Sequence, residues 1–222
     1  FVKDIPIGDG YSEITADETG NLYVSSKLSN NAFLRIKDGN IEELAKDIGP
    51  VKMQRSGNVG ISALFDIKKI VVADGTATAQ DWMPQEYDII STALISENYA
   101  YIGGRSEELD AYIVKAYDME GNHLLTFGEK GKDGDDWIAY VSQIMEIPEG
   151  FFGIDANMRD LYIWGPDASV LGSVEAPDLF GARYAWIAGA AKQDDGSILV
   201  ALTQDRDDDS ATELLLYRLS GF

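Results

Sequence analysis

Cysteine is absent from the 222 residues, which removes disulfides, thiolate metal sites and thiol nucleophiles together. Histidine occurs once, at His123, so a multi-histidine metal centre is excluded. Any Ser-His-Asp triad would need that residue, which follows Gly121-Asn122 at an expected turn and reads as an exposed edge position. No transition metal and no cofactor is therefore expected. No stretch approaches the ~18 consecutive apolar residues of a membrane-spanning helix. Basic residues are scarce: 18 stand against 38 acidic ones, for a net charge of -20. Such a field repels nucleic acid and anionic membrane and favours solubility. The chain also lacks an Asn-x-Ser/Thr sequon and starts at Phe1 rather than Met. That start is expected of a chain whose leader has been removed, or of part of a longer one. Together with the acidity and the missing cysteine, it points to a secreted or cell-surface bacterial protein.

Sustained helical periodicity is missing too. Only Ile41 to Lys46 looks locally helical, and by position it should be an outer strand. What is present is a rhythm of turns. Thr19-Gly20-Asn21, Ser56-Gly57-Asn58, Ser96-Glu97-Asn98, Pro148-Glu149-Gly150 and Asp194-Asp195-Gly196-Ser197 each lead into an apolar strand. Measured from Asn21 through Asn58, Asn98 and Gly150 to Ser197, they lie 37, 40, 52 and 47 residues apart. That is the period of a four-stranded propeller blade, ~40–50 residues. A second series interleaves with the first: Asp38-Gly39-Asn40, Asp74-Gly75, Glu120-Gly121-Asn122, Gly165-Pro166-Asp167 and Ser220-Gly221. Asp-Gly and Gly-Asn supply positive φ at little cost and suit tight hairpins.

One repeat resolves into strands a to d at Val141–Ile147, Phe151–Asp155, Leu161–Trp164 and Val170–Val174. The last repeat stops after its c–d turn, whereas an extra strand-like piece, Val2 to Ile7, precedes the first. The expected fold is therefore all-β: a single β-propeller domain over residues 1–222, about five four-stranded blades, the ring closed by the N-terminal strand against Leu214–Tyr217. A fragment of a six-bladed propeller would give the same arithmetic.

The phrases Asp17-Glu18-Thr19-Gly20-Asn21-Leu22-Tyr23-Val24 and Asp194-Asp195-Gly196-Ser197-Ile198-Leu199-Val200 resemble the hairpin of NHL-like and related bacterial propellers. Tyr117 to Asn122 looks like their second hairpin. The resemblance implies the propeller fold and leaves the activity open, since binding modules, lactonases and lyases share it.

In such a fold the a strands line a central channel, and the d-to-a connections border the usual ligand face. Those connections carry Tyr11, Trp82, Tyr87, Trp137, Tyr140, Tyr184 and Trp186, with Arg183 as their one basic residue. Flat aromatic faces beside carboxylates suit a sugar ring or another small ligand; packing between blades is the competing role for each ring. The leading expectation is a non-enzymatic module binding a glycan, a small molecule or a protein through this face. The alternative is a carboxylate-based hydrolase or lyase, glycosidase-like, using Asp9, Asp88 and Asp178. Asp133–Asp136 and Asp205–Asp209 are acidic enough to suggest calcium, but neither has an EF-hand pattern, and solvated loops are expected.

Overall fold

The computed structural model describes residues 5–26, 32–63, 66–83, 90–128, 137–181, 185–205 and 212–221. Its strands follow the turn rhythm. The first sheet holds β1 (Glu13–Ala16), β2 (Leu22–Ser25), β3 (Ala32–Lys37) and β4 (Asn40–Lys46). The second holds β5 (Val51–Met53), β6 (Val59–Ala63), β7 (Ile67–Ala73) and β8 (Thr76–Asp81). The third holds β9 (Ile90–Ile95), β10 (Ala100–Ser106), β11 (Ala111–Tyr117) and β12 (His123–Phe127). The fourth holds β13 (Val141–Ile147), β14 (Gly150–Asp155), β15 (Asp160–Trp164) and β16 (Val170–Glu175). The fifth holds β17 (Ala185–Lys192), β18 (Ile198–Asp205) and β19 (Thr212–Leu219).

Within every sheet the strands lie side by side in chain order. Wherever a register is given the pairing is antiparallel. Five consecutive meanders of this kind define a five-bladed β-propeller. Ile41 to Lys46 lies in β4, an outer strand as expected. The expected closing strand, Val2 to Ile7, falls largely outside the described residues. Ile5, Pro6 and Ile7 belong to no strand, and the fifth sheet has three strands among the described residues. The one helix among the described residues, α1 (Ala176–Phe180), lies between the fourth sheet and the fifth. Pro177 stands in its first turn, where a missing amide hydrogen does no harm. The sequence pattern there gives only a connection between blades, because five residues are too few to show helical periodicity.

The chain forms two compact units, Phe1–Ile102 with Ala116–His123 and Gly103–Lys115 with Leu124–Phe222. The core of the first lies between the first two sheets: Tyr23, Phe33, Leu44, Val51, Met53, Ile70 and Val72. The core of the second joins the last two sheets through Ile147, Phe152, Ile154, Leu161, Ile198, Val200 and Leu202. Beside that second cluster Trp164 is fully buried. It stacks on Tyr162 at 5.1 Å and meets Phe127 edge-on at 5.0 Å. Its ring lies flat over Gly153, where a Cβ would come within 2.0 Å of the indole. Glycine is required there by close approach, not by backbone conformation.

Side-chain amides link neighbouring sheets inside each unit. Gln54, nearly buried, donates to the carbonyls of Ser96 and Glu97 at 2.8 and 3.2 Å. In the second unit Gln143 accepts from the Ala190 amide at 2.8 Å.

The hairpin phrase has a physical basis. Gly20 takes φ 86°, which brings the amides of the turn round to face Asp17. Oδ1 of Asp17 accepts from the Thr19 amide and hydroxyl at 2.9 and 2.8 Å and from the Asn21 amide at 2.9 Å. Oδ2 accepts from the Asn21 side chain at 2.8 Å and the Tyr23 hydroxyl at 3.1 Å. Burial works to raise the Asp17 carboxyl, but the hydrogen bonds from Asn21, Thr19 and Tyr23 together hold it below its ordinary value. Asp118 closes the second hairpin in the same way, through Glu120 and Asn122.

Candidate functional site

Of the eight residues expected on the ligand face, Tyr87, Arg183 and Tyr184 lie outside the described residues, as do Asp88 and Asp133 to Asp136. Tyr11 and Trp82 belong to the first unit; Trp137, Tyr140 and Trp186 belong to the second. Trp82 has the packing role. Its indole lies against the hairpin at Gly121, where a Cβ would meet Nε1 at 3.2 Å. The Lys69 ammonium sits 5.7 Å from its ring centroid, and Nε1 is buried without a hydrogen-bond partner. Tyr11 is half-buried. Asp9 and Asp178 are exposed, in the first and second unit respectively.

The other three aromatics reach one corner of the fourth sheet, the turn from β14 to β15, by different routes: Trp137 through its carbonyl to Tyr162, Tyr140 through its backbone to Asp155 and Ala156, and Trp186 through its ring to Arg159. Asp155 builds it. Its side chain is fully buried, so its oxygens need donors from the chain. Oδ2 accepts from the amides of Ala139 and Tyr140 at 2.5 and 3.0 Å, and Oδ1 from those of Asn157 and Met158 at 2.9 Å each. One carboxylate thereby ties the loop entering β13 to the turn leaving β14. The Ala156 amide returns a bond to the Tyr140 carbonyl at 2.9 Å, and the Tyr140 ring leans on Tyr112 at 6.4 Å.

Across the strand pair, Asp155 stands opposite Asp160, and Asp160 stands opposite Glu175. Three carboxylates in a row are unusual in a half-buried corner. The Asp160 carboxyl is pushed up by burial first, then by the charges of Glu175 and Asp155. Its Oδ1 is buried without a partner. Its Oδ2 lies 3.4 Å from the Tyr162 hydroxyl, which also reaches the Trp137 carbonyl at 2.8 Å. One phenolic proton cannot serve both acceptors, and the shorter bond goes to the Trp137 carbonyl.

Arg159 occupies the turn itself, with φ 61°, a left-handed conformation uncommon outside glycine, asparagine and aspartate. The Ala176 amide holds it there, donating to the Arg159 carbonyl at 2.8 Å. Its guanidinium turns to the Trp186 ring, 5.7 Å from the centroid. Trp186 is 55% exposed and Trp137 43%. The corner thus combines two open indoles, a tyrosine, a cation and a carboxyl that leans toward its neutral form.

Arg159, Asp155, Asp160 and Glu175 were missed by sequence reasoning. Arg159-Asp160 reads as an ordinary polar turn, and only the excess of acid around Asp155 hints at more. Among the described residues no group of three or more His, Cys, Asp or Glu is placed to hold a metal ion.

No protein-family model and no curated protein matches the sequence. Solved structures do resemble it. A structural-genomics target from Lactobacillus plantarum aligns with a TM-score of 0.54 at 14% identity, over 93% of this chain and 70% of that one. A protein of unknown function from Bacteroides caccae aligns with a TM-score of 0.40 at 13% identity, over 98% of this chain and 64% of that one. The chain thus spans roughly two thirds of the length of each. The first likeness supports the propeller fold and carries nothing about activity.

Proposed function

We propose that the chain is a non-enzymatic binding propeller, and that its ligand lies on the corner formed by Trp137, Tyr140, Arg159 and Trp186. The observation that carries this is Trp186: an indole more than half exposed, at the end of a strand, held by a cation and not by the core. Large aromatics give contact area at low conformational cost and dominate binding hot spots. A flat indole beside polar hydrogen-bonding groups fits a pyranose ring, so a glycan is the ligand class. The hairpins of the NHL-like resemblance, the acidity and the absence of cysteine favour a bacterial protein, secreted or on the cell surface. Fractionation of the producing cells tests that location, and recovery in the cytosol overturns it.

A glycan array followed by titration monitored through tryptophan fluorescence tests the site. Trp186→Ala should weaken binding of the best sugar by about tenfold or more, consistent with a hot spot of ~2 kcal/mol, with the melting temperature nearly unchanged. An array profile identical for the parent chain and Trp186→Ala removes the corner as the site.

A further inference from the structure

Resting on the glycan-binding reading, the corner carries a second observation that narrows the ligand class. Arg159 is half-buried in a neighbourhood of three carboxylates. An arginine so placed ordinarily forms a bidentate ion pair. Here the guanidinium makes no hydrogen bond or ion pair among the described residues; it lies over the Trp186 ring and acts on Asp160 only by charge. A cation–π contact of this kind leaves N–H groups that can still bond a ligand. The backbone carries a left-handed φ to put the side chain there, and strain retained in a non-glycine turn marks places where position matters. Asp160, next in the chain, feels the charge of Arg159 but has no hydrogen bond on Oδ1 among the described residues.

We propose that Arg159 is the anchor for a ligand carboxylate, so that the corner recognises an acidic sugar: the uronate ring on Trp186, its carboxylate on the guanidinium fork. The chain as a whole, at -20, repels anions. The site would therefore select an anion against the overall field, through Arg159.

The test is titration calorimetry with trigalacturonate and with its methyl ester, which keeps the rings and removes the charge. The parent chain should bind the acid about tenfold to a hundredfold more tightly than the ester, the range of a charge-assisted hydrogen bond of ~1.5–3 kcal/mol. Arg159→Gln should erase that difference, the acid falling to the affinity of the ester in the same variant. Arg159→Gly, which suits the left-handed φ, should do the same in a chain with no backbone strain there. Arg159→Lys should restore only part, because an ammonium lacks the fork. Trp186→Ala should weaken both ligands. Equal affinity for acid and ester in the parent chain overturns the anchor and leaves the binding site standing. So does a difference that survives in both Arg159→Gln and Arg159→Gly. Binding of neither ligand at millimolar concentration overturns the anchor and the glycan reading together.

Discussion

Asp17 and Asp160 place the same side chain beside a turn, one in each unit, and their surroundings act on it in opposite senses. At Asp17 five hydrogen bonds converge on the two oxygens and outweigh burial, so the carboxyl is held down. At Asp160 burial acts with little compensation, two neighbouring carboxylates add to it, and the carboxyl is pushed up. Asp155, opposite Asp160 in register, has four amide donors, whereas Asp160 has one long contact. Donors make a turn aspartate structural; their absence beside an exposed indole marks the place where a ligand or a proton can supply what is missing.

The sharpest break of this contrast is Asp155→Ala. Four amides would lose their shared acceptor, so unfolding in urea should show a loss of about 4 kcal/mol, together with lost protection of the Ala139 and Tyr140 amides. Asp17→Ala should cost less, about 2 kcal/mol, because its turn lies at the surface edge and water replaces part of the cage. A larger loss at Asp17 than at Asp155 would reverse the ranking.

Asp160→Asn should be neutral or should raise stability by up to ~1 kcal/mol at pH 7, since it removes a carboxylate opposed by burial and by Glu175. The signs with pH differ accordingly. The raised Asp160 pKa favours the folded state fully below the unfolded value, and that contribution is lost as pH rises through the folded value. The advantage of Asp160→Asn over the parent chain should therefore shrink as the solution is made acidic. The lowered Asp17 pKa favours the folded state above the unfolded value, and that contribution is lost as pH falls through the folded value. The penalty of Asp17→Ala should thus fade at strongly acid pH. Parallel pH profiles for the two variants would show the aspartates to be alike. Asp118→Ala, in an exposed hairpin, should give the smallest change in melting temperature of the set.

The fold was legible because hairpins are local. The strands expected at Val141–Ile147, Phe151–Asp155, Leu161–Trp164 and Val170–Val174 agree with β13 to β16 within a residue; their turns are encoded by the glycine and aspartate inside them. The corner was less legible. Trp137, Tyr140 and Trp186 were expected on the face of the d-to-a connections, and nothing pointed to the turn after β14: Asp155 acts on amides 15 and 16 residues earlier in the chain, and no local pattern announces that. Trp82 and Trp186 look alike in sequence, each an indole at a strand end. Their fates part through neighbours remote in the chain, Gly121 with Lys69 for one and Arg159 for the other.

The four-amide cage on Asp155 also bears on kinetics. Because it joins the loop before β13 to the turn after β14, both walls of the corner are set when the chain folds. On the proposed reading, a ligand would meet these two segments with their backbone already held, which lowers the ordering cost of association there. Encounter should follow a single bimolecular phase with no slow isomerisation step, and changes to the rings should appear in residence time and not in the rate of capture.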